Sequence, residues 1–202
     1  MILLDPDLDQ LPAPKTTSAG QRTAPAVRAK SAPATIPSPR TLARFLKDAQ
    51  AAVRLPGRVS ILLTTDHALR RLNRQFRGID KPTDVLSFPA DAFIQRQEKI
   101  AGDLAISVPT ARRQAEEQAH SLSIEIKVLI LHGLLHLAGY DHETDTGQMA
   151  RRERRLRAQL GLPQGLIERS DIGVAAKMGA PTFPLFHRGK CGKARTRSRR
   201  KP

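Results

Sequence analysis

The chain has 202 residues, enough for one compact domain with a hydrophobic core, and 40% of them are hydrophobic, as in a globular protein. Its formal net charge of +15 favours polyanionic partners such as nucleic acid, and a single cysteine, Cys191, excludes an internal disulfide. The amino-terminal sequence lacks the basic region of a signal peptide, and the longest apolar run is too short to cross a bilayer. We therefore expect a cytoplasmic protein that makes no membrane contact.

Both ends of the chain have compositions typical of flexible segments. A short apolar run that could form a strand is followed by residues 9–40, in which Pro, Ala, Ser, Thr and basic residues dominate without a hydrophobic period. Residues 188–202 contain eight Lys or Arg and no acid, which is typical of a disordered cationic tail. The sequence therefore predicts three parts: a strand and flexible segment (1–37), a central domain (38–165) and a basic tail (166–202).

The first half of the central domain alternates helix and strand patterns. Ser38 precedes a proline and apolar residues at helical spacing, so it predicts the start of a helix. Alternating apolar residues over 59–63 predict a strand. A second helix, capped by Asp66 and ended by Gly78, should follow.

The middle of the domain predicts two more strands. Residues 85–88 and 103–107 have strand character, and the polar stretch 91–101 between them predicts a loop. A polar amphipathic helix should begin at Pro109.

The following helix, beginning at Ser121 or Ser123, is apolar on every face, so we expect it to be buried at the centre of the fold. Gly139 ends it, and a charged helix over 146–160 completes the domain. Together these patterns predict an α+β fold: a small mixed β-sheet of about four strands packed with about five helices.

The residues that indicate chemistry lie at the end of the buried helix, in the sequence HGLLHLAGYDH (132–142). His132 and His136 are four residues apart and share one helix face, and Gly139 permits a turn that brings His142 back as a third ligand. Three imidazoles suit one zinc ion per chain and keep a fourth position open for water. Zinc lowers the pKa of that water from ~15.7 to about 7.

A buried histidine is often only a core residue with a hydrogen-bond partner. Here half of the six histidines fall within eleven residues, and leaving two of them unpaired in an apolar core would cost several kcal/mol. A shared metal is the simpler explanation. The remaining histidines, His67, His120 and His187, are expected at the surface.

The histidine spacing is similar to the metzincin pattern of zinc peptidases, H-E-x-x-H-x-x-G-x-x-H. Position 133 is glycine where a peptidase carries the glutamate that activates water. This difference disfavours a peptidase.

Three motifs together resemble the YbeY family of single-strand-specific endoribonucleases. They are LNRQFRGIDKPTDVLSFP (72–89), GDLAIS (102–107) and the histidine segment (132–142), in the order that the family has them. The resemblance covers roughly residues 38–165. It implies a mixed sheet with helices and a site at the end of the central helix in which the three histidines bind zinc. It also implies action in ribosomal RNA maturation, including the 3′ end of 16S ribosomal RNA, and in ribosome quality control, with single-stranded RNA and ribosomal particles as partners.

By that resemblance Arg77 falls on an arginine of the first motif that is important for function. Its guanidinium has paired donors that match phosphate oxygens, although a helix terminus favours a solvated cation as well. Asp141 is a weaker catalytic candidate that could orient a histidine or accept a proton. Asp84 is expected to stabilise its own turn.

The sequence therefore predicts a zinc-dependent hydrolase of single-stranded RNA. The alternatives are a metzincin-like zinc peptidase and a non-catalytic, ribosome-associated zinc protein. The basic tail is expected to serve as a general electrostatic anchor for RNA.

Overall fold

The computed structural model describes residues 1–10, 35–141, 145–164 and 173–174. These residues confirm the predicted α+β fold, with five strands and six α-helices in the described part of the chain. The strands are β1 (Ile2–Leu4), β2 (Arg58–Thr64), β3 (Val85–Pro89), β4 (Ile100–Ser107) and β5 (Gly173–Val174). The helices are α1 (Pro39–Val53), α2 (Asp66–Arg77), α3 (Ala92–Glu98), α4 (Val108–Glu117), α5 (Leu122–Leu137) and α6 (Gln148–Gln159), with a 3-10 helix at Pro6–Gln10.

The strands form one mixed sheet in the order β1-β2-β4-β3-β5. Strands β1, β2 and β4 are parallel, whereas β3 is antiparallel to β4 and parallel to β5. The two residues of β5 come from the segment predicted as a basic tail. The basic run 188–202 and most of the predicted amino-terminal flexible segment lie outside the described residues.

The two faces of the sheet carry different helices. On one face, α1, α5 and α6 share a large core with alternate residues of β2, β3 and β4, among them Ile61, Val85 and Leu104. On the other face, α2 packs Leu69 against Leu86 and the neighbouring residues of a smaller cluster. Helix α5 is buried almost throughout, as its uniform apolarity predicted.

Most helix starts follow the sequence. Ser38 caps α1 and Ser121 caps α5. The predicted capping role of Asp66 is wrong, because Thr65 accepts the backbone hydrogen bond of the first turn and Asp66 is already helical. The Asp66 carboxylate instead accepts hydrogen bonds from Ser107 and its neighbours at the start of α4.

The predicted loop over 91–101 is also wrong, because it contains α3 and the first residues of β4. Asp91 caps α3 by accepting from the backbone amides of Phe93 and Ile94, both at 2.9 Å. No residue of this helix is buried, and a helix that buries no face does not need apolar residues at helical spacing. Apolar periodicity therefore could not predict α3, whereas the capping residue Asp91 is a local sequence feature that favours a helix start.

Gly102 permits the close contact among β3, β4 and α5. Its φ is +150°, and an ideal Cβ there would lie 2.4 Å from the Phe88 carbonyl oxygen and 2.8 Å from Leu137 Cδ2. Only glycine fits this position without moving backbone.

Among the described residues, no helix has the length and apolar character needed to cross a membrane.

We expect Gly102→Ala to lower the free energy of unfolding by about 3 kcal/mol or more, since it adds overpacking to backbone strain. Gly78→Ala is the matched control: its φ of +71° is also left-handed, but no atom lies within 4 Å of the added Cβ. Strain alone should cost about 1 kcal/mol there. Urea unfolding of both variants checks the difference, and equal losses would contradict a packing role for Gly102.

Candidate metal centre

His132 and His136 lie one turn apart on α5 and present their side chains to each other. The two Nε2 atoms are 3.0 Å apart, and the residues are only 5% and 2% exposed. The structure thus brings together two of the three predicted metal ligands. The third, His142, lies outside the described residues, and within those residues no group of three His, Cys, Asp or Glu side chains forms a metal site.

Helix α6 contributes a carboxylate to the same site. Glu153 Oε2 lies 2.9 Å from His132 Nδ1, and Glu153 Oε1 accepts a hydrogen bond from Arg157 Nε at 2.9 Å. A carboxylate can only accept, so the Nδ1 atom of His132 carries the proton. In the neutral imidazole this leaves a lone pair on Nε2, the atom that faces His136.

The electrostatic environment keeps Glu153 ionised. Burial alone would raise the pKa of its carboxyl group, but the contact with the His132 ring and the charge and hydrogen bonds of Arg157 lower it to about 2. The carboxylate is therefore negative at neutral pH and holds the His132 ring in a fixed orientation.

The paired nitrogens fit a tetrahedral metal ion. Two nitrogens that are each about 2.0–2.1 Å from a zinc ion lie about 3.3 Å apart, close to the 3.0 Å observed here. His132 and His136 could therefore hold such an ion through Nε2, with Glu153 behind His132 as the orienting carboxylate. This arrangement leaves further coordination positions for other ligands.

Gly133 lies between the two histidines in the chain and marks the side of α5 that contacts the sheet. An ideal Cβ at this position would lie 2.7 Å from Leu104 Cδ2 and 3.2 Å from Ser87 Oγ. Position 133 therefore faces β3 and β4, and a glutamate there would collide with the sheet. The water-activating residue of the metzincin pattern has no room at this point of the fold.

Arg77, the predicted phosphate-binding residue, ends α2 on the other face of the sheet. Its guanidinium donates to Asn73 Oδ1 at 3.5 Å, and the preceding residue, Phe76, packs edge-on against Phe88 with ring centroids 5.3 Å apart. Leu137 at the end of α5 packs near Gly102, whose strand neighbours include Pro89. Helices α2 and α5 therefore end at the same end of the sheet, on opposite faces.

The other acidic candidates have different surroundings. Asp84 is buried, accepts from the Val85 amide at 2.8 Å and from Gln114 Nε2 at 2.9 Å, and so stabilises its own turn as expected. Asp141 follows α5 and is half-buried; its carbonyl oxygen accepts from the Asp145 amide at 3.0 Å. The carboxylate that contacts His132 belongs to Glu153.

Sequence reasoning missed Glu153 altogether. The helix that carries it is rich in charge, and its buried residues, Met149, Glu153, Leu156 and Arg157, follow helical spacing. The sequence did contain one indication of this role. Glu153 and Arg157 are four residues apart and share a helix face with Met149 and Leu156, so an ion pair on the buried face could have been predicted.

The expectation that His120 is a surface residue is wrong. Its Nε2 atom lies 3.1 Å from Glu125 Oε2, and its side chain is 12% exposed. Because α5 begins immediately after His120, the chain places the ring beside the first turn of that helix.

Comparison with known proteins assigns this α+β domain with its paired histidines to a family. The family model described as Endoribonuclease YbeY matches residues 35–161. The chain is 50% identical over 140 residues to Endoribonuclease YbeY of Solibacter usitatus, covering 69% of this chain and 90% of that protein. It is 50% identical over 133 residues to Endoribonuclease YbeY of Koribacter versatilis, covering 66% and 84%. A solution structure of TM1509 from Thermotoga maritima matches at a TM-score of 0.44 and 28% identity, covering 62% of this chain and 85% of that one. The chain belongs to the YbeY family, which confirms the resemblance of its motifs.

We expect Glu153→Gln to lower the free energy of unfolding by about 3–5 kcal/mol, the cost of breaking a buried ion pair. The change removes the negative charge that faces Arg157, whose side chain is only 6% exposed. Replacing both partners, as Glu153→Gln with Arg157→Met, should recover much of the loss.

Chemical denaturation of the single and double variants measures this coupling. Glu116→Gln, at an exposed carboxylate on α4, is the control and should change stability by less than about 0.5 kcal/mol. A single Glu153→Gln variant as stable as this control would show that the network adds nothing.

Proposed function

We propose that this chain is a zinc-dependent endoribonuclease that cuts single-stranded RNA and acts on ribosomal RNA during its maturation and in ribosome quality control. The observation that carries the proposal is the pair of Nε2 atoms on His132 and His136, with the tautomer of His132 set by Glu153. The relatives reported above bear the name endoribonuclease. Cytoplasmic ribosomal particles are the proposed place of action.

Zinc is the proposed metal, held by His132, His136 and His142, one ion per chain. When bound, it would supply Lewis-acid chemistry and make water available for attack on a phosphodiester at neutral pH. Glu153 holds the His132 ring, and the apolar surroundings of α5 keep both imidazoles in place. Asp141, next to His142 in the chain, is a weaker candidate to accept a proton.

Arg77 is the proposed contact to the scissile phosphate. A guanidinium fork matches two phosphate oxygens, and α2 ends at the same end of the sheet as the histidine helix. A single strand that rounds this end of the sheet could meet both faces. The net charge of +15 attracts any such polyanion.

The peptidase alternative is disfavoured by the packing at Gly133. A peptidase of metzincin type needs a glutamate there, and the space is filled by Leu104 and Ser87. Assays on labelled RNA and on casein separate the two activities. A non-catalytic zinc protein would cut neither substrate.

Purified protein should contain about one zinc ion per chain, and replacing His132, His136 or His142 by Ala should sharply lower both zinc content and RNA cleavage. His67→Ala, at an exposed histidine of α2, is the control and should change neither. Metal analysis by mass spectrometry, with cleavage of a labelled single strand, measures both. Full zinc retention in two of the three ligand variants would contradict the proposed site.

Arg77→Lys separates charge from geometry. Lysine keeps the positive charge at the end of α2 but cannot form the two parallel hydrogen bonds of a guanidinium. If those bonds strengthen in the transition state, turnover should fall roughly 10²–10³-fold, by analogy with the loss of an oxyanion donor. Zinc content and melting temperature should stay unchanged.

Single-turnover cleavage by Arg77→Lys is compared with that by Arg71→Lys, an exposed arginine of the same helix. Wild-type rates in both variants would mean that the positive charge of Arg77 only stabilises the carboxyl-terminal end of α2 and does not contact the phosphate. Loss of zinc or of the fold in Arg77→Lys would mean that its role is architectural.

A further inference from the structure

Helix α3 carries an aromatic side chain that is not packed into the hydrophobic core. Phe93 is 73% exposed, in a chain with only six Phe, one Tyr and no Trp. No residue of α3 is buried, whereas Phe45 and Phe88 lie in the core. Phe93 is thus an exposed aromatic ring in the first turn of a short helix that begins after the capping residue Asp91.

Helix α3 lies at the end of the sheet where α5 carries the histidine pair. It connects β3 to β4, and the Ala90 amide donates to the Ala101 carbonyl oxygen at 3.1 Å. Pro89 pairs with Gly102, and Leu137, the residue after His136, packs against that position. The exposed ring and the candidate metal centre therefore lie towards the same end of one hairpin.

Several exposed cations lie at or near the carboxyl-terminal end of α3. Arg96 lies on the helix, Lys99 ends it, and the Arg58 amide donates to the Lys99 carbonyl oxygen at 2.6 Å. Arg54, also exposed, begins the loop that leads to Arg58. The nearby exposed acids in this stretch are Asp91 and Glu98, so the four cations outnumber them. The Asp91 carboxylate also already accepts the capping hydrogen bonds of α3.

We propose that Phe93 stacks on a base of single-stranded RNA while Arg58, Arg96 and Lys99 contact the flanking phosphates. An exposed ring beside cations is the combination that binds single strands, because every unpaired base offers a π-face and every linkage a charge. Paired bases have no free face, so this surface favours single-stranded over duplex RNA. The inference rests on the proposed function, because RNA is its ligand.

The test compares two single-stranded phosphorothioate RNAs, which resist cleavage, one with bases and one abasic. Phe93→Ala should bind the strand with bases about 5- to 150-fold more weakly than wild type, the range expected for one lost base–aromatic stack. Binding to the abasic strand should not change. Leu4→Ala removes another exposed apolar side chain, on edge strand β1, and should not affect either strand. Fluorescence anisotropy of the labelled strands gives the affinities.

A second variant reports stacking directly. Because the chain has no tryptophan, Phe93→Trp places a single indole at the proposed contact. Its emission should be quenched when the strand with bases is added, and less so by the abasic strand or by duplex RNA. Affinity for the single strand should equal or exceed that of wild type.

Equal affinity of wild type and Phe93→Ala for the strand with bases, or an equal loss on the abasic strand, would overturn the inference. So would a wild-type dimer that Phe93→Ala makes monomeric, because a second copy would then cover the ring. If wild type cuts RNA while Phe93→Ala binds normally, only the stacking inference fails. If wild type neither binds nor cuts RNA, the proposed function fails and the inference with it.

Discussion

The close approach of α5 to the β3–β4 hairpin determines the geometry of the candidate site. Gly133 has no side chain, so the helix can lie against Leu104, and Ser87 Oγ donates to the Gly133 carbonyl oxygen at 3.3 Å. One turn further on, Leu137 meets the sheet at Gly102. With these positions fixed against the sheet, the helical repeat turns the adjacent face of α5, which carries the two histidines, towards α6.

That orientation places a polar network inside an apolar core. His132, Glu153 and Arg157 are all buried, and the Glu153 carboxylate accepts hydrogen bonds from both His132 Nδ1 and Arg157 Nε. Such a network adds less net stability than an apolar core of equal volume, but it fixes one arrangement. Here the arrangement fixed is the proton position on His132, and with it the lone pair offered to a metal. The polar network thus serves the candidate site more than it serves folding.

The sequence predicted much of this fold, because its strands and long helices have clear apolar periods. It also predicted the proximity of His132 and His136, which follows from their spacing on one helix. It did not predict α3, which is capped by Asp91 and contains no buried residue. Nor did it find Glu153, whose partner is 21 residues away on another helix and whose own helix is charged on most faces. The placement of Arg77 across the sheet depends on strand order, which periodicity does not encode.

In our account, Glu153 holds the Nδ1 proton of His132, and this leaves the lone pair on Nε2 as the group that would bind a metal. Nitrogen-15 NMR of the histidine rings in the metal-free protein at neutral pH tests it directly, with His132→Ala to assign the signals. The account predicts a protonated Nδ1 and an unprotonated Nε2 for His132. A proton on Nε2, or on both nitrogens, would contradict it.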